Sequence, residues 1–148
     1  MTVMHTTITR FRHTMTAALL AFTALHIQAQ GPWKMNLTCP EEKITLHMDL
    51  YKESITVPRM EMFGPMNGYL GGDIYGVWSI TSFEIKNDRE AALRVSNDLG
   101  SETQRITVTQ QTDSTWLMRF EGRNVVKRVN GKKLVKRPSS FLMRKDVK

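Results

Sequence analysis

Methionine, histidine and cysteine are the side chains of this sequence that could bind a soft metal ion. Met60 and Met62 are spaced to share one face of a strand, and His47 could approach from a neighbouring strand. Thioether and imidazole ligands suit Cu(I), so copper binding through Met60 and Met62 is a minor hypothesis. Methionine at alternate strand positions more often fills a core, and we expect no resident metal or other cofactor.

Groups for other kinds of catalysis are scarce. Beyond Ala29 the chain keeps one histidine, His47, and one cysteine, Cys39, which are too few for a Cys/His zinc site. His47 lies in a stretch of alternating apolar and polar residues, which predicts a strand with the imidazole on its outer face. No spacing among the carboxylates singles out an acid and base pair. We therefore expect no enzymatic activity.

A flexible, apolar segment runs from Arg59 to Asp73 and mixes methionine and aromatic residues with glycines. Such a segment adapts its backbone and side chains easily, which suits a lid over the mouth of a barrel. The alternative is a loop whose apolar residues fold onto the core. The lid hypothesis predicts that a small apolar ligand contacts Met60, Met62, Phe63, Met66, Tyr69 and Trp78.

Positive charge is concentrated from Arg119 to the C-terminus, where the acidic residues are Glu121 and Asp146. Asn130-Gly131 predicts a hairpin in this region, since both central positions of a type I′ turn need positive φ. The hairpin would attract an anionic glycan or another envelope component. The alternative is that its lysines protect an exposed edge from aggregation. The predicted anion-binding residues are Lys127, Arg128, Lys132 and Lys133.

A nucleic acid is a poor fit to the same region. No aromatic residue lies between Glu121 and Ser140 to stack on bases. We therefore expect no nucleic acid partner.

Short β-branched and aromatic runs, separated by turn residues, fill the chain after its first 29 residues. They predict one all-β domain over residues 30–148. We favour a single small antiparallel barrel, with a two-sheet β-sandwich as the alternative, because closing or doubling a sheet hides its edges. The strand ending at Ile85 is apolar on both faces or bulged near Thr81 and Ser82. The predicted strands are 33–38, 43–51, 54–57, 73–85, 92–96, 104–110, 115–121, 125–129, 133–136 and 141–144.

The tripeptide Gly76-Val77-Trp78 resembles the GxW signature of lipocalin-like (calycin) barrels, in which the tryptophan plugs one end beneath an arginine from a late strand. The resemblance implies a barrel that can enclose a ligand, and it points to Arg144 as the late arginine. The order of a leader, an opening Trp-x-Met-x-Leu strand and many short strands is also similar to small exported calycin-like proteins of Gram-negative gut bacteria. That similarity implies a periplasmic or secreted protein and no known reaction.

The first 29 residues predict a cleavable signal peptide. Arg10, Arg12 and His13 precede an apolar stretch that is about half the roughly 20 residues a spanning helix needs. Cys39 lies too far beyond this stretch to receive a lipid. We expect an exported protein, periplasmic or secreted, that is not lipid-anchored and has no transmembrane segment in the mature chain.

Two binding hypotheses follow, from different classes of protein. The first is an exported envelope protein that carries a small apolar ligand inside its barrel, and it requires a hollow interior. The alternative is an interaction or structural protein that binds an anionic glycan, lipid or protein through its basic hairpin. The alternative is compatible with a filled barrel.

Mature protein from the native host is expected to begin at Gln30, because Ala29 is the small residue at the predicted cleavage position. Intact-mass spectrometry of the purified protein measures this directly. Retention of residues 1–29, or an acyl chain on Cys39, would contradict the prediction.

Overall fold

The computed structural model describes residues 31–147, so the predicted signal peptide and its cleavage site lie outside the described residues. The described chain is mostly β-structure, with one turn of 3-10 helix at Glu61–Phe63. Its ten strands are β1 Lys34–Cys39, β2 Ile44–Asp49, β3 Gly68–Gly72, β4 Trp78–Asn87, β5 Glu90–Asn97, β6 Thr103–Gln110, β7 Thr115–Glu121, β8 Lys127–Asn130, β9 Lys133–Lys136 and β10 Ser140–Lys145.

Eight of these strands close into an antiparallel barrel in the order β1, β10, β7, β6, β5, β4, β3, β2. β8 and β9 form a separate two-stranded hairpin. The predicted small all-β barrel is confirmed, and the sandwich alternative is wrong. Within residues 31–147, no helix is long and apolar enough to span a membrane.

The predicted strand at 54–57 does not form as a strand. A single bridge joins Ile55 to Met66 there. Pro58 follows Val57 and has no N–H to donate, so a ladder cannot continue through it. Val57 is nevertheless buried, which explains why its sequence reads as part of the core.

The predicted strand at 73–85 is also wrong at its start. β4 begins only at Trp78, and the preceding strand, β3, occupies Gly68–Gly72. Residues 68–72 were predicted to belong to the flexible segment from Arg59 to Asp73. A run with three glycines has few side chains to show the alternation by which strands are recognised.

Glycine is required in β3 by the close approach of β2. A Cβ atom at Gly68 would collide with the carbonyl oxygen of His47, and one at Gly72 would collide with that of Lys43. Both glycines also have positive φ, 146° and 98° respectively, which residues with side chains rarely adopt. The composition that suggested a loop is therefore what permits the pairing of β2 with β3.

Apolar side chains fill the barrel interior. Trp33 and Trp116 meet at one end with ring centroids 5.2 Å apart in a T-shaped arrangement, and we call this the Trp33 end. Trp78 is buried near the other end, and its indole N–H donates to the carbonyl oxygen of Tyr75. Between them lie the buried side chains of Leu37, Ile44, Leu46, Met48, Leu70, Ile106, Met118 and Met143.

β4 carries a bulge near the predicted position, with a register shift between Ile80 and Ser82. β3 and β4 pair at only two positions, both before the bulge. After it, β4 pairs with β5 alone, and the inward-facing Phe83 and Ile85 are 38% and 37% exposed. The wall of the barrel is therefore incomplete along the second half of β4.

The carboxylate of Asp49, at the end of β2, is buried and organises the turn that follows. It accepts hydrogen bonds from the backbone N–H groups of Tyr51 and Lys52, at 3.1 Å each, and from the hydroxyl of Ser54 at 2.7 Å. Lys34 Nζ lies 3.3 Å away. Burial alone raises the pKa of Asp49, but these hydrogen bonds outweigh burial and hold the pKa below its usual value.

Replacing this carboxylate is expected to destabilise the fold at neutral pH. Asp49→Asn should lower the free energy of unfolding by about 1 to 3 kcal/mol, since bonds to a charged acceptor are lost. Because the pKa is lowered on folding, the ionised carboxylate stabilises the folded state fully at pH values above its unfolded-state pKa of about 3.9. This stabilisation is lost as the pH falls through the lower folded-state pKa. The gap between wild type and variant should therefore narrow below about pH 4.

Urea denaturation at several pH values measures this gap. Asp113→Asn, at an exposed position in the β6–β7 turn, is the control and should change stability by less than about 0.5 kcal/mol. A gap for Asp49→Asn that is the same at pH 3 and pH 7, values on either side of about 3.9, would contradict the role assigned to the ionised carboxylate.

Candidate interaction site

The six residues predicted to contact an apolar ligand are not brought together. Met62 and Phe63 lie in the 3-10 helix and are 87% and 66% exposed. Met60 and Met66 flank that helix and are half-buried. These four residues precede β3 in the chain, and Arg59, directly before Met60, pairs with Asp98 in the turn after β5 at 3.4 Å. The groove that Trp78 lines has none of the other five predicted residues in its lining.

Tyr69, the sixth residue, lies on the outer face of β3 and stacks on His47, with ring centroids 4.7 Å apart. His47 Nδ1 is 3.0 Å from Asn36 Oδ1, and partial burial lowers the pKa of the imidazole. The predicted outer-face position of His47 is therefore confirmed. The copper hypothesis required Met60 and Met62 to share one face of a strand. They do not, because their segment forms a 3-10 turn.

Buried apolar side chains of the protein occupy the interior of the barrel. The grooves found on the described surface are open depressions. One of about 550 Å³ lies over β4, β5 and β6.

The most distinctive outer feature is the hairpin Lys127–Lys136, which we call the basic hairpin. Its strands β8 and β9 pair only with each other, and every residue of β9 is exposed. Lys127 is opposite Lys136, and Asn130 is opposite Lys133. The two turn residues are thus Gly131, with a φ of 62°, and Lys132, which is the type II′ arrangement with glycine first.

The observed turn lies one residue later than the predicted one. With Asn130 and Gly131 at the centre of the turn, Arg128 would be opposite Lys133. Asn130 instead remains in β8, and Arg128 is opposite Val135. One face of the hairpin therefore carries Lys127, Val129, Leu134 and Lys136, and the other carries Arg128, Asn130, Lys133 and Val135.

The cations of the basic hairpin fall into two groups. Arg128 Nη1 lies 3.2 Å from Asp73 Oδ2, so the charge of this predicted anion-binding residue is already compensated. Within residues 31–147, the four lysines of the hairpin form no ion pair with an acidic side chain. They are Lys127, Lys132 and Lys133, which were predicted, and Lys136, which was not.

A buried arginine lies where the hairpin joins the barrel. The Arg137 side chain is 2% exposed, and its Nη2 donates to the carbonyl oxygen of Glu42 at 2.7 Å and to the Glu42 carboxylate at 2.8 Å. Its Nη1 is 3.7 Å from Asp73 Oδ2. The guanidinium also lies 5.7 Å from the centre of the Phe141 ring. Arg137 thus connects the base of the hairpin to the β1–β2 turn and to the β3–β4 connection.

Backbone bonds hold the same junction. The N–H of Tyr75 donates to the carbonyl oxygen of Lys127 at 2.6 Å, and the N–H of Arg137 donates to that of Val126 at 3.0 Å. Val126 is completely buried. Because an isolated two-stranded hairpin is marginally stable in water, these contacts are what fix its position.

A small groove of about 110 Å³ lies beside the hairpin, where Lys127 and Leu134 face the β5–β6 turn. Tyr75 and Leu99 line it and are 53% and 77% exposed. The groove places a cation next to apolar surface. This part of the molecule therefore offers both kinds of contact to a partner.

Arg137 and Asp73, which anchor the hairpin, were not predicted from the sequence. Arg137 lies in a run of basic residues whose other members are exposed, so composition gave no sign that it is buried. The resemblance pointed instead to Arg144. Alternation along β10 places Arg144 on the outer face, where it pairs with Glu41 at 3.1 Å, so it does not cover Trp78.

Removing the Arg137 guanidinium is expected to loosen the basic hairpin. Arg137→Met should lower the free energy of unfolding by about 2 to 4 kcal/mol, because charge-assisted bonds of a buried group are lost. Hydrogen exchange of the amides in β8 and β9 should also become faster. Chemical denaturation and exchange measured by mass spectrometry test both effects.

Arg144→Met is the matched control. It breaks an ion pair whose two side chains are each 63% exposed, so it should cost less than about 1 kcal/mol. Equal destabilisation by the two substitutions, with unchanged exchange in β8 and β9, would show that Arg137 does not anchor the hairpin.

Comparison with known proteins identifies no relative for this chain. The chain matches no protein family model, and neither a curated protein nor a solved structure is significantly similar to it. The resemblance of Gly76-Val77-Trp78 to lipocalin-like barrels therefore stays an expectation, and the chemistry of the basic hairpin is the basis on which its partner can be inferred.

Proposed function

We propose that the protein is an exported binding protein of the cell envelope, without enzymatic activity, that holds the basic hairpin on a rigid barrel. Its partner is an anionic, phosphorylated glycan linked to lipid. The observation that carries the proposal is the set of four lysines, Lys127, Lys132, Lys133 and Lys136, that have no acidic partner within residues 31–147.

The charge distribution supports an anionic partner. The four lysines lie on one hairpin, and close pairs among them, such as Lys127 opposite Lys136, are nearer to each other than the screening length of about 10 Å at 0.1 M ionic strength, so their fields add. Asp73 is the acidic residue that forms an ion pair with the hairpin, and its carboxylate already contacts Arg128 and Arg137. The protein's own acids therefore leave the lysines available to an external anion.

The apolar residues between the lysines support a lipid-linked partner over a simple anion. Val129 and Leu134 share a face with Lys127 and Lys136, and they are 55% and 48% exposed. Exposed apolar groups beside cations suit a molecule that carries phosphates next to acyl chains. A purely charged polymer would leave these two side chains unused.

The packing of the barrel supports a binding role for the hairpin over a ligand in the interior. A filled core cannot admit a small apolar molecule unless it rearranges. Histidine is a common catalytic residue, but His47 is hydrogen-bonded to Asn36 and stacked on Tyr69. These contacts favour binding over catalysis.

Binding of fluorescently labelled lipopolysaccharide tests the proposal. Lys132→Ser, Lys133→Ser and Lys136→Ser combined should weaken binding about tenfold, since each exposed cation contributes about 0.5 kcal/mol. Binding by the wild type should also weaken as salt concentration rises, because exposed charges are screened. Fluorescence anisotropy at two salt concentrations measures both effects.

Arg94→Ser, Arg105→Ser and Arg119→Ser combined are the matched control, because they remove the same charge from the outer face of β5, β6 and β7. This control should keep most of the affinity. Equal weakening by the two triple variants would show that net charge, and not the hairpin, is responsible. Absence of binding by the wild type would remove the proposed partner.

A further inference from the structure

One edge of the barrel sheet lacks a neighbour. After the bulge at Thr81, β4 pairs with β5 on one side. On its other side, no backbone hydrogen bond within residues 31–147 connects residues 81–86 to another strand. We call this the β4 edge. An open edge presents unpaired N–H and C=O groups that can pair with another strand.

The outward-facing charges of the β4 edge alternate in sign. Glu84 and Lys86 point to the same face, because both follow the bulge and are two residues apart. A second copy of this chain related by a two-fold axis would run antiparallel along the edge. In such an arrangement residues pair symmetrically, so the position on the axis decides which charges meet.

Only some of the symmetric registers are compatible with these charges. An axis at Glu84 or at Lys86 would place that residue opposite itself, which is repulsive. An axis at Ile85 would place Glu84 of each copy opposite Lys86 of the other. That register makes two ion pairs and brings the two Ile85 side chains together.

Lys86 can take part although it already has a partner. Its Nζ lies 2.9 Å from Glu90 Oε1 in the same chain. An ammonium group has three hydrogens, so it can donate to Glu84 of the second copy as well. Phe83 and Ile85, which are more than a third exposed, would become covered in the same step.

The edge of β9 provides a contrast within the same molecule. Its four exposed residues are Lys133, Leu134, Val135 and Lys136, with Lys132 and Arg137 on either side. Every symmetric pairing of this edge with itself places a cation opposite a cation. The basic hairpin is therefore protected from a second copy, whereas the β4 edge is complementary to one.

We infer that two copies of this chain associate through their β4 edges, antiparallel about Ile85, with Glu84 of each copy paired to Lys86 of the other. The two barrels then share one continuous sheet through β5, β4 and their counterparts. Because one strand pair buries little surface, this dimer is a weak one whose population rises with protein concentration.

Exchange of charges tests the register. Glu84→Lys alone places lysines opposite lysines, and Lys86→Glu alone places glutamates opposite glutamates, so each variant should be monomeric. Mixed in equal amounts, the two variants should form a heterodimer, because each ion pair is restored between unlike chains. Native mass spectrometry distinguishes this heterodimer from either homodimer, and sedimentation velocity from about 10 µM to about 1 mM follows the wild-type dimer.

Glu53→Lys is the control, because it makes the same charge change at an exposed residue in the loop after β2. It should dimerise like the wild type. A wild-type protein that stays monomeric at about 1 mM, where even a weak complex is populated, would overturn the inference. A dimer that Glu84→Lys leaves intact would overturn it too, because the interface would then lie elsewhere. Circular dichroism of each variant confirms that loss of the dimer does not reflect unfolding.

Discussion

The close contact between β2 and β3 is the constraint on which the rest of this structure depends. Gly68 and Gly72 allow the two backbones to approach where any side chain would collide. That approach places Leu70 in the core and lets β3 reach Trp78 of β4, which closes the barrel. Because β3 is only five residues long, closure leaves the second half of β4 without a neighbour. The closed barrel and its open β4 edge therefore have the same cause.

The charged residues in and beside the hairpin have two roles: some pair with acidic residues of the same chain, and others are exposed to solvent. Arg137 and Arg128 both lie near Asp73, and Arg137 also bonds to Glu42, so these residues hold the hairpin to the barrel. Burying the Arg137 side chain is costly unless it is paired, and the bonds to Glu42 offset that cost. Among the described residues 31–147, the four lysines of the hairpin have no such partners. A basic segment that looks uniform in sequence thus contains both an anchor and a binding surface.

Much of the fold could be predicted from the sequence because most barrel strands alternate clearly. The bounds predicted for 115–121 and 133–136 agree with β7 and β9. β3 could not be found, since its glycines replace the side chains on which recognition depends. The hairpin was found, but its register was wrong because Gly131 suits the second central position of a type I′ turn and also the first of a type II′ turn. Moving the turn by one residue changes the partner of Arg128 from Lys133 to Val135. Arg137 was missed because burial of one arginine among exposed ones depends on the tertiary structure.

The connection between β7 and β10 has an evolutionary consequence. These strands are neighbours in the barrel, since Arg119 pairs with Ser140, so a short turn could join them without changing the order of the other strands. The stretch between them instead contains the basic hairpin, anchored only at its base. The exposed strands of such an insertion can diverge, lengthen or be replaced while the barrel that carries them keeps its core. Descendants of one barrel could in this way acquire different partners without having to evolve a new fold.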